Sequence, residues 1–135
     1  MGDRPLVDRK LDASTRLAEA LIARGSPLLG AYWEWRGDDD RWVLVLVPQS
    51  QDHERQLISS ASELLTQPPY RSIFSVSDAE VDARQIRRAQ ALGAYIRSTA
   101  SIGRQIDTLF TGGEYFDAVV PIYLAPELSR ATFAS

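Results

Sequence analysis

The chain has 135 residues and a formal net charge of −3, the wrong sign for generic binding to nucleic acid. It contains no cysteine, which excludes disulfides, thiolate metal sites and cysteine nucleophiles. No apolar run approaches membrane-spanning length and no secretory h-region is evident, so a cytoplasmic protein without a membrane partner is expected.

That length predicts one domain over residues 1–135, large enough to bury a sizeable core, with 1–7 and 126–135 as a loosely held lead-in and tail. Phe133 could dock from the tail. Lys10 is the single lysine among fifteen basic residues. The arginine and alanine richness fits a GC-rich bacterial gene.

From Asp8 to about Arg24 a helical stripe appears, with Leu11, Ser14, Leu17, Ala18, Leu21 and Ile22 on one face. Gly25-Ser26-Pro27 stops it. Two apolar, aromatic-rich runs between Leu28 and Pro48 then flank Gly37 to Asp40, the pattern of a β-hairpin with a four-residue turn. In that register Arg36 faces Arg41, Trp35 faces Trp42, Trp33 faces Leu44 and Ala31 faces Leu46. A slip of one residue would exchange the faces of one strand against the other. The tryptophan side is read as the core face, a ligand platform being the alternative. The other side carries Tyr32, Glu34, Val43, Val45 and Val47.

Ser50 is a candidate cap for a second helix, with Leu57, Ile58, Ala61, Leu64 and Leu65 as its stripe and Pro68-Pro69 as its stop. Tyr70 to Val76 reads as a short strand. Ser77 and Glu80 match a capping box for a third helix running to about Ser101, with Val81, Gln85, Ala89, Leu92, Gly93, Ile96 and Ala100 inward.

A last hairpin pairs a strand bearing Ile106, Thr108 and Phe110 with a strand over 114–124, where Phe116, Ala118, Val120, Ile122 and Leu124 alternate. A two-residue Gly112-Gly113 turn would set Asp107 beside Ala118 on the core face. The three-residue loop Gly112-Gly113-Glu114 sets Phe110 against Phe116 and is preferred. The order α-β-β-α-β-α-β-β, with helices between some strands, predicts an α+β domain with a mixed five-stranded sheet packed against helices.

The residues Gly30 to Trp33, Arg41 to Leu44, Leu109 to Gly112 and Ile122 to Leu124 carry a resemblance. The chain resembles a widespread group of small uncharacterised bacterial α+β proteins with a Trp-rich N-terminal hairpin. The resemblance implies the fold and brings no activity, cofactor or site residues.

Candidate chemistry is thin. His53 lies beside Asp52 and Glu54 with no partner at ligand spacing, and reads as a solvated helix-start residue. Neither G-x-S-x-G, a P-loop nor G-x-G-x-x-G occurs. Asp38-Asp39-Asp40 fits a polar hairpin tip better than a metal loop. Glu34, Asp107 and Asp117 fall on the outer sheet face, and were they to converge they could hold Mg²⁺ or Mn²⁺ for hydrolase or nuclease chemistry. Arg84, Arg87 and Arg88 lie opposite the third helix's stripe, as an ordinary solvated face or a contact for an anionic partner.

The expected function is therefore a non-enzymatic interaction module, homodimeric or an accessory subunit of a bacterial system, with no metal or other cofactor and no nucleic-acid partner. Its expected partner-binding surface is the outer sheet face: Tyr32, Val43, Val45, Val47, Tyr115, Val119 and Tyr123. An antiparallel sheet open to water alternates apolar with polar residues, and this face does not. A helix of the same chain is the other possible cover.

Overall fold

A computed structural model of the chain describes residues 8–99 and 102–126. The expected lead-in, the tail with Phe133, and Ala100 and Ser101 at the end of the third helix lie outside them.

The first helix, α1 (Asp8–Ala23), buries Ala13, Ser14, Leu17, Ala18 and Leu21. Its end follows from Gly25, whose φ of 77° only glycine adopts without strain. Gly25 and Ser26 then donate backward to the carbonyls of Ile22 and Leu21. Strands β1 (Leu28–Arg36) and β2 (Arg41–Pro48) pair antiparallel. Arg36 faces Arg41, Trp35 faces Trp42, Trp33 faces Leu44 and Ala31 faces Leu46, so the turn has the four residues expected.

Helix α2 (Glu54–Leu65) follows a helical turn at Gln51–His53. Ser50 does not cap through its side chain to the backbone; its hydroxyl lies 2.8 Å from His53 Nδ1. The strand expected over Tyr70–Val76 is absent. Tyr70–Ile73 forms a short helix, α3, and the third strand, β3, is Ala79–Val81. The apolar residues explain the difference. Tyr70 and Phe74 are four apart, both buried and stacked with ring centroids 6.4 Å apart, so the helical spacing prevails over the alternation of Ser72, Phe74 and Val76. The capping box also moves: Ser75 and Asp78 form it, two residues before the expected pair. Asp82 then caps a further turn by accepting from the Arg84 N–H, and α4 (Ile86–Thr99) begins five residues later than Val81.

The sheet order is β3-β2-β1-β5-β4, with β2 and β3 parallel and the other pairs antiparallel. Strand β4 (Ile106–Thr111) joins β5 (Glu114–Leu124) through Gly112 and Gly113. Phe110 faces Tyr115 and Asp107 faces Ala118, so the turn has two residues and the preferred three-residue loop is wrong. Both glycines have positive φ, 58° and 80°, as the tight hairpin turn needs. The cost foreseen for Asp107 does not arise, because it is exposed on the edge strand β4.

The expected alternation of β5 also breaks. Val120 and Ile122 pack on the tryptophan side as foreseen, but Phe116 joins Val119 on the other side. Thr108, on the paired strand, takes a left-handed φ of 55° at this point.

Two cores result, one on each face of the sheet. On the tryptophan side Trp33, Leu44 and Leu46 pack under Leu17 and Leu21 of α1, Leu57 and Ala61 of α2, and Tyr70 of α3. On the valine side Tyr32, Val43, Val45, Val47 and Val119 pack under Ala89, Leu92 and Ile96 of α4. The tryptophan face does not take every helix. A mixed sheet whose chain returns from the β3 edge to the β4 edge carries α4 across the opposite face, and α4's apolar stripe covers the valines.

Candidate functional site

Five of the seven residues expected to bind a partner are thereby inside the protein: Tyr32, Val43, Val45, Val47 and Val119 are each at most 1 % exposed. Tyr123 is half-buried at the boundary of the two cores. Tyr115 is the exception, at 50 % exposed. Phe116 meets Tyr32 edge-on beneath α4, with ring centroids 5.9 Å apart, so by strand alternation Tyr115 turns away from α4. It meets Phe110, 72 % exposed, with ring centroids 6.2 Å apart. This aromatic pair stands at the turn end of β4 and β5, and β4 is an edge strand.

The three carboxylates do not assemble. Among the described residues no group of three or more His, Cys, Asp or Glu side chains could hold a metal ion. Glu34 is buried, and Arg88 grips it with a two-pronged contact at 2.7 and 2.8 Å. Arg36 approaches the same carboxylate at 3.6 Å. With both of its oxygens engaged by Arg88 and with Arg36 beside it, this carboxylate is taken up by contacts within the chain. Asp107 is exposed and accepts from Gln105 Nε2 at 2.9 Å. Asp117 stands by the β1–β2 turn, its Oδ2 near Gly37.

The three arginines part as well. Arg84 is exposed and bonded to Asp82, with Nε 3.0 Å from Oδ1. Arg87 is exposed on α4. Arg88 points inward rather than out, bonding Glu34, donating to the Tyr115 carbonyl and lying 4.1 Å over the Phe116 ring. Burial disfavours its charge, but Glu34 more than offsets this and holds its pKa above the ordinary arginine value. Burial likewise pushes the Tyr32 phenol far up, with Arg88 opposing. Arg88 therefore fixes the start of α4 over β1 and β5.

His53 lies at the start of α2 against Ser50, and the Asp38–Asp40 run forms the hairpin tip, with Asp39 3.6 Å from Arg41.

A second feature had no counterpart in the sequence reading. An open cleft of about 720 Å³ lies between α2 and the sheet edge at β3, lined among others by Leu46, Ile58, Leu65, Arg71, Phe74 and Val81. Ile58 was expected to be buried with the α2 stripe but is 44 % exposed. The stripe is wider than the core it meets, and this surplus was the available signal. No protein family matches the chain, and no curated protein or solved structure matches it.

Proposed function

We propose that this chain is a non-enzymatic interaction module that self-associates through the β4–β5 hairpin. The observation that supports this is the Phe110–Tyr115 pair, 72 % and 50 % exposed on an edge strand. Edge strands carry unpaired backbone groups and are normally blunted by charge, proline or a covering element. Exposed aromatic residues are the side chains that dominate protein contacts when they become buried. A second copy meeting β4 edge to edge satisfies both sets of groups, and a two-fold axis makes one patch serve twice.

Light scattering across a micromolar dilution series tests this. The wild-type chain is expected to run as a dimer, and the double variant Phe110→Ser, Tyr115→Ser as a folded monomer. A wild-type chain that stays monomeric throughout rejects self-association through this hairpin.

A further inference from the structure

The cleft beside β3 has three properties together. Its walls are mostly apolar, from Ile58, Ala61 and Leu65 of α2 on one side and Phe74 and Val81 on the other. Its volume of about 720 Å³ falls in the range of ligand sites. Arg71 lines it, exposed, and among the described residues its guanidinium has no ion-pair partner. The acid on the same wall, Glu80, is occupied by Arg36 at 2.8 Å.

The strand edge supplies the rest. Ala79 pairs with Leu44 and Val81 with Leu46, and the Asp82 N–H donates to the Leu46 carbonyl at 3.1 Å. Main-chain groups alternate in direction along a strand. Those of Glu80 and Asp82 therefore face β2, while those of Ala79 and Val81 point over the edge that borders the cleft and that no described strand covers. The next residue of that outward series, Ala83, already has an acceptor from outside the sheet: its N–H donates to Glu54 Oε2 at 2.8 Å.

We propose that this cleft binds an extended peptide segment of another polypeptide, laid along β3 as a sixth strand. Its apolar side chains enter the cleft and an acidic group meets Arg71. Main-chain bonds to an edge strand with pockets for alternate side chains form a known mode of peptide recognition. A peptide answers the outward N–H and C=O groups of Val81, which an acyl chain leaves without a partner. The charge of Arg71 selects an acidic segment over a basic one. The site lies at the opposite edge of the sheet from the hairpin proposed for self-association, so either can fail alone.

The test uses the full chain and a displayed library of random nine-residue peptides, followed by fluorescence polarisation with the enriched sequences. Enrichment of alternating apolar residues with an acid at a fixed position is expected. Binding should weaken at least tenfold in Arg71→Glu and in Ser62→Trp, which fills the cleft from an exposed helix position. It should be unchanged in Phe110→Ser. Val81→Pro, which removes the outward N–H while leaving the bonds to β2, should weaken it too, and the Val81 amide of the wild type should gain hydrogen-exchange protection on binding. No enrichment, enriched peptides indifferent to Arg71→Glu and Ser62→Trp, or a cleft that takes dodecanoate and no peptide would each overturn the proposal.

Discussion

The two faces of the sheet bury comparable cores by different means. On the tryptophan face α1, α2 and α3 form a broad layer, and the buried polar contact among them is neutral: Trp33 Nε1 donates to Ser14 Oγ at 3.0 Å. On the valine face α4 is the one helix among the described residues, and its first turn is fixed by the Glu34–Arg88 ion pair, with Tyr32 reaching Gln85 at 3.3 Å. A neutral pair closes where three helices already exclude water. A single helix brings fewer apolar contacts, and a charged pair at its start then sets where it sits. The lesson is that the apolar content of a sheet face says it will be covered, while its polar residues say how.

The largest effect should come from Val45→Arg. Under a wholly exposed valine face this change would give a soluble monomer. With Val45 at 0 % exposure beneath α4, an unpaired charge is buried, and a loss above about 4 kcal/mol is expected. Chemical denaturation checks it, and a stable folded variant would mean α4 leaves the face.

Next come the tryptophans. Trp33, at 0 % exposure, should cost about 3–5 kcal/mol on replacement by alanine. Trp42 is half-buried and meets Trp35 edge-on with centroids 5.6 Å apart. Its replacement should cost about 1–2 kcal/mol, the aromatic pair plus partial burial. Equal losses would erase the distinction between the inner tryptophan and the outer pair.

The ion pair should behave differently from either core. Removing Arg88 alone, as Arg88→Met, leaves Glu34 with the longer 3.6 Å contact to Arg36 and should cost about 2–3 kcal/mol, below the fully buried range because that contact remains and the Arg88 side chain is 18 % exposed. The double variant Glu34→Leu, Arg88→Met should recover most of that loss, because it strands no charge. A double-mutant cycle that turns out additive would show that the pair does not act as a unit.

The smallest effect is electrostatic. Burial opposes the charge of Asp78, but hydrogen bonds from the Ser75 backbone and Lys10 outweigh it and hold its pKa below the ordinary 3.8. A depressed folded pKa stabilises the fold above 3.8, and that contribution is lost as pH falls through the lower folded value. Solvent screening limits it to under about 1 kcal/mol. Lys10→Met should flatten this acid limb, as followed by thermal melts between neutral and acid pH.

Much of this was legible in the residues. The β1–β2 register could be read down to individual pairs because tryptophan and valine alternate cleanly and the turn length admits one pairing that keeps both faces apolar. The α+β class and the mixed five-stranded sheet followed from the order of hairpins and helices. The third strand was not legible in the same way. Tyr70 to Val76 satisfies a period of two and also places Tyr70 and Phe74 at helical spacing, and short apolar runs carry both signals. The preference for a three-residue glycine loop assumed that Asp107 had to avoid a covered face, whereas Asp107 is exposed on the edge strand β4.

By itself the sequence determined how β1 and β2 pair, that Trp33, Leu44 and Leu46 face a core, and that the valine face needs a cover. Those are local consequences of side-chain period and turn length. Tertiary structure alone decided that α4 is that cover, that Arg88 turns inward to Glu34, and that an apolar cleft is left open beside β3. Such outcomes depend on strand order and on the crossing of the sheet by a helix between its two edges, and these are set by contacts between residues far apart in the chain, such as Glu34 and Arg88, that no local pattern encodes.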